Sequence, residues 1–505
     1  MTRRAMAALA ALMLLAAAPA LATERVVTGG IVHGIDLPDG GTLFHGIPYA
    51  QPPVGEMRWK PPGPVAPWQG VRDATVPGPP CLQRSYEWNA TDAAASREDC
   101  LYLDVHAPKH APMARLPVMV WIHGGANRAG SGSGYSLSGI VQRGVVLVTM
   151  QYRLGIFGFL SLPALDAESP EHASGNYALM DQIAVLQWVK ANIAGFGGDP
   201  NNVTIFGQSA GAQDVGLLML SPPARGLFNK AIEESGTAGF GVPPRTLAEN
   251  EKLGGDLASL MGAAAGTGGL AALRATSSDA LLDATDKLVP PIDDASFIWL
   301  QAVADGFVLP GTPAELLAAK RQARVPHIIG NNAQELPLYG GAANARHWVE
   351  EYFGARAKTA LALYRLNRPS DPPDDPVLGD AATIVATDTI FRCPANWVAS
   401  RELAAGQKVW RYQFDVPKLG SGKPVWHSSE LSFVFNAPPA RASMGIWPPV
   451  QAYWTNFAKT GNPNGRGLPR WADMGKAGNY MEFTAKGPRA GRNLRAPICR
   501  LLNNP

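Results

Sequence analysis

A serine flanked by glycines, Gly207-Gln-Ser-Ala-Gly211, interrupts the chain between two apolar stretches. Before it stands the β-branched run Asn202-Val-Thr-Ile-Phe206, and after it Ala212-Gln-Asp-Val-Gly-Leu-Leu-Met-Leu220. The first run predicts a strand and the second a helix. A strand that passes into a helix within so few residues must turn sharply, and Gly207 and Gly211 supply the room. The turn leaves the Ser209 hydroxyl standing clear at the end of a sheet. It also leaves the small Ala210 with an open amide at a helix N-terminus, where N–H groups point at negative charge. In a chain with 54 glycines the bare pattern is cheap. The weight lies on the strand before it and the helix after it, and Ser209 is the candidate nucleophile.

Composition places this turn in a folded globular chain. Of 505 residues, 46% are hydrophobic and 17% charged, an ordinary balance for a packed core. The glycines and the 44 prolines are spread along the sequence and not gathered into a linker. The expectation is one large domain over residues 23–505 with long insertions, roughly 240–320 and 340–390. The first 22 residues read as an export signal. Arg3 and Arg4 precede an apolar run from Ala5 to Ala18, with Ala20-Leu-Ala22 as the cleavage site. The run is short and Ala-rich for a membrane span, so an uncleaved anchor is the lesser reading. Arg3 and Arg4 lack the flanks of a twin-arginine signal, and a secreted or periplasmic location is expected. Cleavage after Ala22 leaves 42 cationic residues against 41 acidic, a net +1 in place of +3. Such a balance gives no reason to expect nucleic acid or an anionic membrane as partner. The four cysteines, 81, 100, 393 and 499, are readable as disulfides in an oxidising compartment, with three possible connectivities. Cys81 and Cys100 could close a loop that holds Tyr86 and Trp88, and Cys393 and Cys499 could pin the C-terminal tail. Their spacing does not suit zinc, and neither a metal nor a cofactor is expected.

Upstream, the apolar run Leu116-Pro-Val-Met-Val-Trp-Ile122 leads into His123-Gly-Gly-Ala-Asn127. In an α/β-hydrolase, a large mixed sheet with helices on both faces, the loop after such a strand donates amides to a tetrahedral oxyanion. A serine nucleophile needs a base, and the base an orienting acid, following it in the order acid, then histidine. Of nine histidines only His327, His347 and His427 come after Ser209. His327 sits in a predicted buried strand and His347 in a predicted helix. His427 lies on a loop beyond the strand Lys408-Val-Trp-Arg-Tyr-Gln-Phe-Asp415. Glu335 likewise lies on a loop beyond the His327 strand, after Gly330-Asn-Asn-Ala-Gln334. Spacing favours His427 and Glu335 while leaving the other histidines, and acids such as Glu351, open.

Read together, these segments resemble the type-B carboxylesterase family, whose members include cholinesterases, para-nitrobenzyl esterases and fumonisin esterases. Phe44-His-Gly-Ile-Pro-Tyr-Ala-Gln-Pro-Pro-Val-Gly-Glu-Met-Arg-Trp-Lys60 is similar to its N-terminal signature and Glu98-Asp-Cys-Leu-Tyr-Leu-Asp-Val105 to its second. Tyr152-Arg-Leu-Gly-Ile-Phe-Gly-Phe159, Phe196-Gly-Gly-Asp-Pro-Asn-Asn-Val203 and Trp454-Thr-Asn-Phe-Ala-Lys-Thr-Gly-Asn-Pro-Asn464 follow in order. The resemblance implies Ser209, Glu335 and His427 as a catalytic triad. It implies the amides of Gly125, Ala126 and Ala210 as oxyanion donors, and Cys81–Cys100 and Cys393–Cys499 as disulfides. It also implies internal ion pairs Arg58–Glu98 and Arg153–Asp181, and Ser235 as a serine behind the acid–base pair.

Departures from the family pattern bear on the substrate. Cholinesterases carry a glutamate before the nucleophile, where this chain has Gln208. After the oxyanion motif the family is usually apolar or aromatic, where this chain has Asn127 and Arg128. Asn127, Arg128, Gln208 and Trp88 are the expected substrate-binding residues, favouring a small-molecule ester with polar or carboxylate groups over a choline ester. The dull alternative for Arg128 is a surface position or an acidic partner. Rival functions are a non-catalytic binding protein of the neuroligin kind, or an amidase or thioesterase, since a triad does not choose the leaving group. Nothing in the residues specifies an oligomeric state.

Overall fold

The computed structural model describes residues 23–110, 113–239, 244–263, 266–288, 302–336, 341–368, 370, 372–417, 424–436 and 447–503. The proposed export signal lies outside the described residues.

An 11-stranded sheet organises the chain. In sequence order its strands are β1 (Ile35–Asp36), β2 (Thr42–Pro48), β3 (Tyr102–Ala107), β4 (Leu116–Ile122), β5 (Val146–Met150) and β6 (Gly198–Gln208). They continue as β7 (Lys230–Glu234), β8 (His327–Asn332), β9 (Val409–Asp415), β10 (Asn479–Thr484) and β11 (Gly487–Arg492). In space the order is β11-β10-β9-β8-β7-β6-β4-β5-β3-β2-β1. Strands β4 to β10 run parallel, and antiparallel pairs close both edges. Parallel strands covered on both faces need side chains that are apolar throughout. Val146-Leu-Val-Thr-Met150 is buried at every position. Alternate residues of β4 separate into the two cores: Val118, Val120 and Ile122 pack on one side, Met119 and Trp121 on the other.

Helices α1 (Tyr177–Asn192), α2 (Ala210–Leu220), α3 (Gly341–Phe353), α4 (Cys393–Ala404) and α5 (Trp447–Thr460) flank the sheet or build its insertions. Every residue of α2 is buried, so this helix runs through the interior behind the serine. The ion pairs implied by family resemblance are present as internal fasteners. Arg153 grips Asp181 at 2.7 and 2.8 Å, and Arg58 grips Glu98 through two contacts of 2.6 Å. Arg58 also donates to the carbonyls of Leu273, Arg274 and Thr276, which ties the first insertion to the body. Breaking either pair would strand a buried charge at a cost of about 3–5 kcal/mol. The structure joins Cys81 to Cys100 and Cys393 to Cys499.

In a parallel sheet the carboxyl ends of the strands form one rim, where ligands bind. The loops that leave β4, β6, β8 and β9 at that rim carry His123–Asn127, Ser209, Glu335 and His427, respectively.

Candidate active site

Ser209 joins β6 to α2 with φ 57° and ψ −127°. A residue with a Cβ pays about 1–3 kcal/mol for such a backbone and keeps it only where the surroundings fix it. Here they do: Ser209 N–H donates to the Glu234 carbonyl of β7 at 2.9 Å, and its own carbonyl accepts from Ala212 and Gln213 at 2.9 and 3.0 Å. Gly207 and Gly211 are needed because the chain crosses itself here. A Cβ on either would run into main-chain carbonyls, that of Ile122 included. Ala210 stands in the first turn of α2, where N–H groups have no intrahelical partner.

His427 directs Nδ1 at Glu335 Oε2, 2.6 Å away. Glu335 is fully buried and held on three sides. Its Oε1 accepts from Asn332 N–H at 2.7 Å, and its own N–H donates to Thr387 Oγ at 3.1 Å. A carboxylate fixed this way favours the tautomer that carries its hydrogen on Nδ1 and turns the lone pair of Nε2 away from the acid. Nε2 is met by the Gln208 amide at 3.2 Å. Among the described residues no hydrogen bond joins His427 to Ser209. Resting sites often hold such contacts loosely until substrate tightens them. Behind the pair lie two further buried acids. Burial, with Glu335 nearby, pushes the Glu430 carboxyl up to about 7. Burial, with Glu430 nearby, pushes the Glu234 carboxyl well above its ordinary range. Ser235, in a left-handed turn at φ 52°, is bonded through its N–H to the Gly330 carbonyl at the end of β8.

The loop after β4 lies against the serine. A Cβ on Gly124 would come within 3.0 Å of Ser209 Cβ. The chain then takes three consecutive left-handed conformations, φ 120° at Gly125, 58° at Ala126 and 55° at Asn127. His123 is neutral, since burial pushes its imidazole down to about 4. The loop is clamped from outside by Gln83, whose side chain donates to the Gly130 carbonyl at 2.9 Å and accepts from Gly130 N–H at 2.7 Å. Through Gln83 the Cys81–Cys100 loop flanks the loop after β4.

His327 and His347 do not approach Ser209. His327 opens β8 fully buried and bonded to Glu402 at 2.8 Å, while His347 is exposed on α3 beside Glu351. Among the expected substrate-binding residues one needs correction. Asn127 is fully buried, and its amide donates to Asp214 of α2 at 3.1 Å. Following Ala126 through a left-handed turn, its side chain joins the interior and not the substrate surface. Arg128 lies half-buried over the Tyr86 ring at 5.2 Å, with no carboxylate partner among the described residues. Trp88 stacks on Tyr86, with ring centres 6.1 Å apart, and is 64% exposed.

Two features had no signal in the sequence. Phe391 packs against Ala126 and Ala210, with Leu336 and Ile390 beside it, and its ring centre is 5.3 Å from that of His427. It belongs to a π-helical segment, Thr387–Arg392, inside the second insertion. An apolar wall therefore faces the proposed oxyanion donors. The other feature is Asp214, which follows Ser209 on α2 and would have passed for a surface acid.

A parallel sheet with a serine elbow at its rim, an amide-lined loop beside it and a Glu–His pair facing it defines an α/β-hydrolase. The chain belongs to the Carboxylesterase family, whose family model matches residues 19–502, and it is a carboxylic ester hydrolase. It is 34% identical over 486 residues to the fumonisin B1 esterase of Sphingopyxis macrogoltabida, covering 91% of this chain and 86% of that one. It is 35% identical over 500 residues to the liver carboxylesterase of Sus scrofa, covering 89% and 86% respectively. A solved structure of PNB esterase superposes with a TM-score of 0.80 at 32% identity, covering 95% of this chain and 99% of that one.

Proposed function

We propose that the chain hydrolyses esters through a covalent acyl-enzyme on Ser209. Ser209 Oγ attacks the ester carbonyl as its proton passes to His427 Nε2. The oxyanion that forms is held by the amides of Gly125, Ala126 and Ala210. His427 returns the proton to the departing alcohol, and a water activated by the same nitrogen then releases the acid and frees the serine. Glu335 orients the ring through Nδ1 and stabilises the imidazolium as it forms. The observation that carries this reading is the 2.6 Å contact between His427 and a buried Glu335, at the same rim as Ser209 in its left-handed turn. A fluorophosphonate probe is expected to phosphonylate Ser209 with loss of fluoride, adding the mass of the probe less HF to the peptide containing Ser209, in proportion to activity lost. Labelling of any other residue, or inactivation without labelling, overturns it.

The substrate class we infer is an ester bearing carboxylate or several polar groups near the scissile bond, with an apolar portion for the Phe391 wall. Arg128 supports this as a cation without an acidic partner among the described residues, as does the neutral Gln208 on the other side of the serine. The fumonisin B1 esterase relative points the same way. In a partly desolvated cleft a guanidinium contributes about 1–3 kcal/mol to a carboxylate it can reach. Wild type is expected to favour a carboxylate-bearing ester over its neutral analogue in kcat/KM, and Arg128→Ala to lower that ratio about tenfold. An unchanged ratio assigns Arg128 to the Tyr86 stack alone.

We further propose that residues 1–22 direct export and are removed, a reading supported by their basic–apolar–small pattern and by the pairing of all four cysteines. N-terminal sequencing of the protein from periplasm or medium is expected to begin at Thr23. A chain that retains Met1 refutes it.

A further inference from the structure

The proposed oxyanion hole is assembled from two separate elements. Gly125 and Ala126 belong to the loop after β4, and Ala210 to the first turn of α2. Donors of this kind count for about 10²- to 10³-fold in kcat only when they lie some 3 Å from the developing charge, so the two elements must agree to within a fraction of an ångström. We propose that Asp214 is a positioning residue that fixes the two halves of the oxyanion hole to one another through Asn127.

Asp214 lies one turn after Ala210 on the same helix, and Asn127 is the residue that directly follows Ala126. The Asp214 carboxylate accepts from Asn127 Nδ2 at 3.1 Å with one oxygen and from Gln182 Nε2 of α1 at 2.6 Å with the other. Asn127, Asp214 and Gln182 are all fully buried. Three consecutive left-handed residues do not hold themselves in place, so the loop's shape must be imposed by its contacts. At its last residue two restraints do this: the Asp214 contact, and the Asn127 carbonyl accepting from Gly155 N–H at 2.7 Å. The acid carries a cost, because burial pushes its carboxyl up to about 7 and the amides of Gln182 and Asn127 offset this only in part. An apolar pair would be cheaper for packing alone. The polar pair supplies direction, which packing does not.

The inference rests on the oxyanion donors proposed above, and the experiment separates the two. A para-nitrophenyl ester gives kcat and KM, and a trifluoromethyl ketone, which adds to the serine as a tetrahedral mimic, gives affinity for the charged state. Asp214→Ala is expected to lower kcat about 10- to 100-fold, with KM within about twofold and ketone affinity falling in step with kcat. Asp214→Asn, which keeps an acceptor oxygen for Asn127, is expected to recover most of the loss. Should Asp214→Ala not fold, Asn127→Ala is expected to show the same split. Equal losses in Asp214→Ala and Asp214→Asn, or a lower thermal midpoint with kcat and ketone affinity unchanged, overturn the positioning role. Ser209→Ala in the same assay separates the failures: if it retains turnover the site reading itself is wrong, and if it does not, only the role of Asp214 is in question.

Discussion

Ser209→Ala is expected to lower kcat toward a simple ester by on the order of 10⁴- to 10⁶-fold, with the fold and both disulfides unchanged. The size follows from what is lost. On the proposed route no acyl-enzyme forms without Oγ, and what remains is water attacking an ester beside the proposed oxyanion amides. His427→Ala is expected to match it, because a serine hydroxyl is a weak nucleophile unless its proton has somewhere to go. The two losses should not add, since the residues act as one unit. Glu335→Gln is expected to cost less, roughly 10³- to 10⁴-fold, because an amide can still meet the ring but stabilises the imidazolium poorly. Steady-state kinetics on the three single variants and the Ser209–His427 double variant measure all of this. If Glu335→Gln keeps full activity, the acid is another residue. Glu430 is then the first to test, since it sits buried three residues beyond His427 and accepts from the side chain of Asn332, whose N–H holds Glu335.

How much of this site could be read from the sequence depended on how locally each feature is determined. The turn at Ser209 is written in five consecutive residues, because only Gly207 and Gly211 let the chain pass so close to the end of β4. Glu335 and His427 stand on loops just beyond strand ends, and a strand end is visible from the change of hydrophobic pattern. Glu430, at His-x-x-Glu spacing, was open to the same kind of reading. Asn127 and Arg128 were not. Both follow a left-handed residue, and which way their side chains leave that turn depends on Asp214 and Tyr86, residues far away along the chain. Polar side chains where the family is apolar suggested that both face substrate; burial took Asn127 inward, while Arg128 lies over the Tyr86 ring. Phe391 was hidden for a similar reason. Its place beside Ala126 and Ala210 comes from a π-helical turn in an insertion, and no local pattern announces which residue such a turn projects.

That same turn makes the long disulfide the second large expected effect. Replacing Cys393 and Cys499 together with alanine is expected to lower the unfolding free energy by about 4–5 kcal/mol, against about 3 kcal/mol for the Cys81–Cys100 pair. The difference follows from chain entropy, since the bridges close 106 and 19 residues, and the longer loop gains more freedom in the unfolded chain. Position adds a second consequence. Cys393 opens α4 immediately after the π-helical turn. In that turn Thr387 accepts from Glu335 N–H at 3.1 Å, and Arg392 donates to the Ala333 carbonyl at 2.8 Å. Both contacts steady the loop that carries the proposed catalytic acid, and Phe391 of the same turn packs beside His427. Freed from its tether to the C-terminal helix Ala496–Asn503, the turn is expected to loosen first. Loss of the long bridge should therefore lower kcat on warming before the chain unfolds globally, while loss of the short one should not. Urea unfolding of the two double variants, with activity followed through the same temperatures, decides the point. A short-bridge variant as unstable as the long-bridge one, or activity that falls only with global unfolding in both, would rule out the coupling between this tether and the Glu335 loop.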